Sequence, residues 1–284
     1  MLLSFFVFWY YTKMSFLESV FLGIIQGITE FLPVSSSGHL AIAKHFFSLS
    51  QVPLLYDILL HLATLLAVCL VYRKTIWRLI CVACRFVVRK TTEADRGDLF
   101  FILAILVATL CTGILGVLLK DVVKQIPVYI IPIFFIITGI VLLLSDKIVE
   151  NKHTDTHIHI RSAIIVGIVQ GLAVFPGISR SGSTISAGLF SNIKRSSILE
   201  FSFILSIPAI LGALVLELVD MNATDFTMLV PLPHLIVGFI VSFCTGLFAL
   251  KIVAKLFQKA RLRLFSFYLI PLGLILSVYF IWIA

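Results

Sequence analysis

The chain has 284 residues, of which 60% are hydrophobic and only 36 are charged, 22 Lys or Arg and 14 Asp or Glu. This composition is too apolar for the surface of a soluble domain, and it excludes a soluble enzyme, a disordered chain and a nucleic-acid-binding module. Several apolar runs approach the roughly 20 residues that a helix needs to cross a hydrocarbon core about 30 Å thick. Because the runs are continuous rather than alternating, a β-barrel is disfavoured. The composition predicts an all-α polytopic membrane protein.

The N-terminus and the cysteines add little to this prediction. Residues 1–13 are apolar and aromatic, but Lys13 follows the apolar run instead of preceding it, which is the wrong order for a signal peptide. We treat residues 1–13 as an N-terminal extension, with Met14 as an alternative start. Five cysteines, an odd number, predict no disulfide framework. Cys81 and Cys84 form a lone CxxC pair, which favours incidental packing over a zinc or redox site.

About six runs are long enough for full transmembrane spans. They cover 56–72, 99–119, 127–144, 201–219, 234–250 and 265–284. The loops 73–97 and 251–263 are rich in Lys and Arg, and the positive-inside rule places both in the cytoplasm. The loop 220–233 contains Asp but no Lys or Arg, so we expect it outside. The net charge of +8 therefore reports topology rather than binding of an anionic partner.

Two further loops follow from counting crossings. The loop 120–126 falls outside, although it contains Lys120 and Lys124, and the loop 145–161 falls inside. The inner loop carries three histidines, His153, His157 and His159. Because no Cys or further ligand accompanies them, we interpret this segment as a solvated linker rather than a metal site.

An internal repeat relates the two halves of the chain. The segment 23–40, GIIQGITEFLPVSSSGHL, aligns without gaps with 167–184, GIVQGLAVFPGISRSGST, at eight identities in eighteen positions. The spans downstream correspond in the same order, and the loop charges make each pair run in opposite directions. This pattern predicts an inverted-topology repeat. We assign 14–145 to the first repeat, 146–160 to a cytoplasmic linker and 161–284 to the second, all within one membrane domain.

Each repeat motif lies in a stretch that must leave and re-enter the bilayer on the same side if the crossings are to close. Glycines and prolines interrupt both stretches, at Gly27, Pro33, Gly38, Gly171, Pro176, Gly177 and Gly182. Broken helices are tolerated at membrane depth only inside protein or against a water-filled cavity. We predict two re-entrant helix hairpins whose tips meet near mid-depth, the first entering from outside and the second from inside.

Polar side chains in the two motifs need an explanation, because Glu30, His39 and Arg180 each cost about 2.5 to 3.5 kcal/mol in a bilayer on insertion scales. In the first motif Gln26 lies one helical turn before Glu30, and the serines of a predicted helix start are Ser35, Ser36 and Ser37. In the second motif the hydroxyls around Arg180 are Ser179, Ser181, Ser183 and Thr184. Two helix starts, a guanidinium and several hydroxyls predict a phosphate site rather than a cation site.

The two motifs have also diverged. Three aligned pairs differ in chemistry: Glu30 and Val174, Ser36 and Arg180, His39 and Ser183. One half keeps an acid and a base and the other supplies the cation, a division that phosphoryl transfer requires. The alternative is that Glu30 and Arg180 form a buried ion pair that only orders the hairpins, with His39 a core histidine.

These motifs resemble a known family, the bacterial undecaprenyl pyrophosphate phosphatases of the bacitracin-resistance type. The resemblance spans nearly the whole chain from about Met14. It rests on an (E/Q)xxxE element at 26–30, on PVSSSGH at 33–39 and on PGxSRSxxT at 176–184. It implies hydrolysis of a polyprenyl diphosphate to the monophosphate carrier and inorganic phosphate, which recycles the lipid for cell-wall synthesis. It also implies a place in the bacterial plasma membrane and indirect competition by bacitracin, which binds the substrate. A homodimer is left open.

The resemblance implies roles for individual residues. Glu30 would hold a metal or steer the base, Ser36 would be the nucleophile and His39 would carry the proton, while Arg180 would clamp the diphosphate. The supporting substrate-binding residues would be Gln26, Ser35, Ser37, Ser179, Ser181, Ser183 and Thr184. Water is the alternative nucleophile.

The resemblance also implies a divalent cation, Mg²⁺ or Ca²⁺. Many relatives have a second glutamate at the position of Gln26. A neutral amide weakens a metal site built on two carboxylates, and it favours a Ser/His route in which the metal is the counterion of the diphosphate.

A transporter or lipid flippase is the rival interpretation. Inverted repeats whose broken helices meet within the membrane are the usual architecture of alternating access. The asymmetry of the two motifs favours the enzyme, because a transporter needs no Ser/His pair beside an Arg. A structural scaffold leaves the buried charges unexplained.

Overall fold

The computed structural model describes residues 14–49, 52–149, 155–220, 230–256 and 262–282. Within them the chain is helical, with an isolated bridge between Asp155 and Ile193 and two short 3-10 turns at Glu93–Asp95 and Val128–Ile130. The helices are α1 Phe16–Phe31, α2 Ser36–Phe46, α3 Leu54–Val71, α4 Arg73–Val87, α5 Arg96–Lys124, α6 Ile131–Val149, α7 Ile160–Leu172, α8 Arg180–Phe190, α9 Arg195–Asp220, α10 Leu232–Leu256 and α11 Arg263–Trp282.

Six helices are long and apolar enough to cross a membrane. They are α3, α5, α6, α9, α10 and α11, and the mean hydropathy of their most apolar windows lies between 2.2 and 2.7. Many of their large apolar side chains face outward, such as Leu106 and Leu110 of α5, which are 60% and 65% exposed. Outward-facing leucines suit a surface covered by lipid. The prediction of an all-α polytopic membrane protein with about six spans is confirmed.

The two repeat motifs fold into similar pairs of short helices. Both α2 and α8 have 11 residues, and they begin 144 residues apart, which is the offset of the sequence repeat. Both are capped by serine: Ser35 Oγ accepts from the Gly38 N–H at 3.3 Å, and Ser179 Oγ accepts from the Gly182 N–H at 3.0 Å. A serine cap satisfies an N–H group that a helix start leaves free. The re-entrant insertion, the inverted orientation and the repeat boundaries stay predictions.

Each short helix pair packs against a long helix of the other half. In the first pair, helix α1 packs along α10, and Thr245 Oγ1 donates to the Gly23 carbonyl at 3.5 Å. In the same way α7 packs along α5, and Thr112 Oγ1 donates to the Gly167 carbonyl at 2.9 Å. The last long helices of the two halves, α6 and α11, also pack together. The halves therefore interlock, and residues 150 positions apart come into contact.

One helix was not predicted. The segment 73–97, interpreted as a cytoplasmic loop, contains the 15-residue helix α4. Apolar residues such as Trp77 and Ile80 alternate along it with cations such as Arg78. A search for continuous apolar runs misses a helix of this kind, because its apolar residues recur at helical spacing instead of in series. Arg78 Nε lies 3.1 Å from a carboxylate oxygen of Asp98 in α5.

The remaining predictions concern the N-terminal extension, the loops, the linker and the cysteines. The extension 1–13, His153 and most of the loop 220–233 lie outside the described residues. Lys120 and Lys124 belong to the last turns of α5 rather than to a loop, which shortens the proposed outer connection. In the linker, His159 Nε2 lies 2.7 Å from a carboxylate oxygen of Asp155, with the His159 side chain exposed and that of Asp155 partly exposed. All five cysteines are free thiols.

Candidate active site

The turns of the two short helix pairs lie directly against each other. The Gly177 N–H in the second turn donates to Ser35 Oγ at 3.1 Å, and Ser181 Oγ donates to the Leu32 carbonyl at 3.3 Å. Ser35 has a φ of 68°, a conformation that non-glycine residues rarely adopt. The Ser35 hydroxyl oxygen therefore accepts from N–H groups of both turns, which holds the start of α2 against the start of α8.

The close approach of the turns depends on glycine. A Cβ atom on Gly38 would lie 2.5 Å from Cε1 of Phe135 and 2.8 Å from the Cα of Gly177. Gly177 itself has a φ of 103°, in the region that favours glycine. Any side chain at position 38 would push the two turns apart.

Gly38→Ala is expected to lower both stability and activity. Overpacking of this kind costs about 1 to 3 kcal/mol, and here the strain falls on the contact that aligns the site. We expect a lower melting temperature in detergent and at least about a tenfold loss of turnover. Gly113→Ala in α5 is the matched control, because a Cβ there meets no atom within 4 Å. A Gly38→Ala protein with the melting temperature of the wild type would contradict the contact.

Glu30, near the end of α1, is the centre of a polar cluster and is only 6% exposed. Its Oε2 accepts from Ser36 Oγ at 2.6 Å and from Gln26 Nε2 at 3.0 Å. Its Oε1 accepts from Nη2 of Arg180, the first residue of α8. A hydroxyl, an amide and a guanidinium drawn from both motifs therefore converge on one carboxylate.

Arg180 has a hydrogen-bond donor that no described residue uses. Nη2 bonds Glu30, whereas Nη1 is buried and has no hydrogen-bond partner among the described residues. An unpaired buried donor is costly, and a guanidinium is suited to bind a phosphate oxygen. The side chain is 18% exposed, so the guanidinium is not fully enclosed. The arrangement offers an anionic ligand a charged donor next to the Ser36 hydroxyl.

The remaining hydroxyls of the motifs mostly hold the turns. Ser179 caps α8 with its hydroxyl, whereas Ser183 is tied to the same turn by its backbone N–H, which donates to the Ser179 carbonyl at 2.8 Å. Thr184 Oγ1 donates to the Arg180 carbonyl at 2.9 Å and lies 2.5 Å from Ser202 Oγ of α9. In the first motif, Ser37 Oγ lies 3.4 Å from Ser35 Oγ. These contacts fix the backbone that carries Ser36 and Arg180.

His39 turns away from the carboxylate cluster. Its Nδ1 lies 2.8 Å from the Ser35 carbonyl, which can only accept, so Nδ1 carries the proton. Its Nε2 is then the acceptor of a hydrogen bond from Tyr268 of α11, whose hydroxyl lies 2.8 Å away. The two rings stack with centroids 5.7 Å apart. The structure thus pairs His39 with a tyrosine of the second half, and its role as proton carrier stays a prediction.

The helix α3 contributes two residues that the sequence interpretation missed. His61 Nε2 lies 3.4 Å from Glu30 Oε2, and Thr64 Oγ1 lies 3.4 Å from Gln26 Nε2. An available signal was overlooked, since an ionisable residue inside a membrane-spanning run is by default a candidate for function. Asp57, His61 and Thr64 follow one face of this otherwise apolar helix.

A divalent cation fits the side chains poorly. Both oxygens of Glu30 already accept from N–H or O–H donors. Among the described residues, no three His, Cys, Asp or Glu side chains come together as ligands. The Oε1 atom of Gln26 is buried and unpartnered in the described part of the chain, but it offers one neutral ligand at most. We therefore derive no catalytic step through a metal held by the protein.

Comparison with known proteins identifies a family for this chain. Residues 19–275 match the family described as "Bacitracin resistance protein BacA". The chain belongs to the BacA family. Glu30, Ser36 and Arg180 all lie within the matched range.

Curated relatives of this BacA-family chain match it along nearly their whole length. A protein of Treponema denticola named undecaprenyl-diphosphatase is 51% identical over 267 residues, which cover 94% of this chain and 98% of the relative. Proteins of the same name from Borrelia hermsii and Methanococcus vannielii are 38% and 39% identical, covering 93% and 89% of this chain and 98% and 95% of their own. The similarity therefore includes the spans as well as the motifs.

Proposed function

We propose that this protein hydrolyses undecaprenyl diphosphate to undecaprenyl phosphate and inorganic phosphate. The family and the names of its relatives support this activity. The observation that carries it is the junction of the two turns, where Ser36 donates to Glu30 at 2.6 Å beside the unpaired Nη1 of Arg180. This junction combines a hydroxyl, its proton acceptor and a cation, as phosphoryl transfer requires.

Ser36 is the nucleophile in the reaction we propose. Its Oγ attacks the terminal phosphorus, and the anhydride P–O bond breaks to release the lipid monophosphate. The hydroxyl proton passes to Oε2 of Glu30, which already accepts it. Arg180 and the N–H groups at the starts of α2 and α8 bind the oxygens on which charge develops. Water then attacks the phosphoserine and gives one proton to Nε2 of His39, Glu30 returns its proton to the Ser36 oxygen as the P–O bond to serine breaks, and phosphate leaves.

A divalent cation, Mg²⁺ or Ca²⁺, enters in this proposal as the counterion of the diphosphate. The positive charge of Arg180 is already paired with Glu30, so a substrate with several negative charges brings charge that the site does not neutralise. The neutral Gln26 and the hydroxyls of the turns can receive such a complex without repulsion. When bound, the cation would add positive charge to the transferring phosphate.

The cellular role follows from the substrate. The product is the lipid carrier that cell-wall synthesis uses again, so we place the protein in the bacterial plasma membrane. Bacitracin would oppose the enzyme indirectly, because it binds the lipid diphosphate. Excess enzyme would counter the drug by removing its target.

Phosphate release by the purified protein tests the function. The protein in detergent, given undecaprenyl diphosphate, is expected to release one inorganic phosphate per lipid and to leave the monophosphate. Transport cannot produce this result. A protein that binds the lipid without releasing phosphate would favour the flippase interpretation.

His39→Ala is expected to lower kcat by about 10²-fold while the KM stays within about threefold. The reason is that, in the proposed second step, His39 takes a proton from the attacking water, which is a step of turnover rather than of lipid binding. Tyr268→Phe, which removes only the hydroxyl that donates to Nε2, is expected to have a smaller effect on kcat. Equal losses of kcat and lipid affinity in His39→Ala would contradict this role.

A further inference from the structure

The helix α3 brings a row of polar side chains into the active site. Asp57, His61 and Thr64 are spaced by four and three residues, so they share one face of a helix whose mean hydropathy is 2.3. Thr64 is fully buried, and the His61 side chain is 22% exposed. Polar groups are costly in an apolar membrane helix, and packing alone does not require them. His61 and Thr64 face Glu30 and Gln26 of α1, whereas the Asp57 carboxylate pairs with Lys44 of α2 at 2.8 Å.

The contacts of His61 fix the orientation of its ring. Nδ1 lies 2.7 Å from the Asp57 carbonyl, an oxygen that can only accept, so Nδ1 carries a hydrogen. Nε2 is thereby directed toward Glu30 and lies 3.4 Å from Oε2, an ion-pair distance at which it attracts the carboxylate only when the ring carries a hydrogen on both nitrogens. Thr64 Oγ1 donates to the His61 carbonyl at 2.8 Å, which steadies the same turn of the helix.

His61 faces Oε2 of Glu30, the oxygen that takes the Ser36 proton in the proposed reaction. Oε2 of Glu30 accepts from Ser36, whereas Oε1 is held by Arg180. If Arg180 shifts part of its bonding to a phosphate, the carboxylate needs other contacts to keep Oε2 at the serine. Gln26 supplies one such contact, a hydrogen bond at 3.0 Å, and a protonated His61 supplies the other, an ion-pair contact at 3.4 Å.

We propose that His61, with a hydrogen on both ring nitrogens, is a positioning residue of the reaction: its Nε2–H holds Oε2 of Glu30 against the Ser36 hydroxyl, and its Nδ1–H is held by the Asp57 carbonyl. This role rests on the phosphatase function proposed above. It adds a third element to the site, since α3 belongs to neither of the two repeat motifs. His39 does not duplicate it, because its Nε2 is engaged by Tyr268.

Two amide variants separate this role from a merely structural one. His61→Gln has the length to bring an amide N–H to Oε2, whereas His61→Asn is too short and reaches only the Asp57 carbonyl. Both replacement side chains are neutral and polar, so we expect the two variants to have similar folding stability. We expect His61→Asn to lose about 10²-fold in kcat with KM within about threefold, and His61→Gln to recover to within about fivefold of the wild type. Phosphate release from undecaprenyl diphosphate is the assay, with melting temperature as the measure of folding.

Further controls make the outcome decisive. His61→Leu should resemble the asparagine variant in kcat, while His45→Leu makes the same exchange at an exposed position at the end of α2 and should retain wild-type kinetics. Equal kcat values for the Asn and Gln variants would overturn the positioning role, as would a loss seen in KM alone. If the wild type itself releases no phosphate, the phosphatase proposal fails. If the wild type is active and His61→Asn matches it, only the role of His61 fails.

Discussion

Arg180→Ala is expected to abolish phosphate release, with a fall in kcat of at least about 10³-fold. The guanidinium pairs with Glu30 through Nη2, and Nη1 is buried without a partner in the described part of the chain. A substrate phosphate would bind this Nη1 group, and the variant would remove that main positive contact. Arg180→Lys should also be poor, because an ammonium cannot hold a carboxylate and a phosphate with two parallel donors.

A double variant separates lost chemistry from lost folding. Arg180→Ala alone leaves the buried Glu30 carboxylate without its cation, which is destabilising. Combining it with Glu30→Gln removes the unpaired charge, so the melting temperature should recover while phosphate release stays absent. Arg195→Ala is the matched control, since Arg195 is 19% exposed, against 18% for Arg180, and also pairs with a carboxylate, that of Asp146. Substantial turnover in a folded Arg180→Ala protein would remove the clamp from the mechanism.

The long helices were predictable because hydropathy is a property of the local sequence. The run 99–119 lies within Arg96–Lys124, and 201–219 lies within Arg195–Asp220. The ends extend beyond the apolar runs because polar residues such as Lys124 continue a helix as well as leucine does. The helix α4 was not predictable from the same signal, since cations such as Arg78 and Arg85 interrupt its apolar residues and only their helical spacing marks the helix.

The site was predictable where its residues belong to the motifs. Gln26 and Glu30 share a helix face one turn apart, and Ser36 and Arg180 begin corresponding helices, so the repeat and the spacing indicated all four. The contact of His61 with Glu30 joins two different helices, and no local pattern encodes such a contact. The direction of His39 was equally inaccessible. Its ring follows the bond to the Ser35 carbonyl and the stacking partner Tyr268, which lies 229 residues away.

Ser36→Ala is expected to reduce kcat by about 10³-fold or more, because a covalent route loses its nucleophile. Ser37→Ala is expected to cost less than about tenfold, since its hydroxyl lies 3.4 Å from Ser35 Oγ and is not among the groups that bond Glu30 in the described part of the chain. Both serines lie in the first turn of α2, so the comparison holds the helix and its cap constant.

The same variant decides between serine and water as the nucleophile. If Ser36 attacks, acid quenching during turnover should trap phosphate on Ser36, detectable by mass spectrometry, and Ser36→Ala should show neither label nor burst. If water attacks, Glu30 remains the proton acceptor while Ser36 only orients the carboxylate. Ser36→Ala would then keep a measurable fraction of activity, and no phosphoserine would form in the wild type. Glu30→Gln would be inactive in both cases, so only the Ser36 variant distinguishes the two nucleophiles.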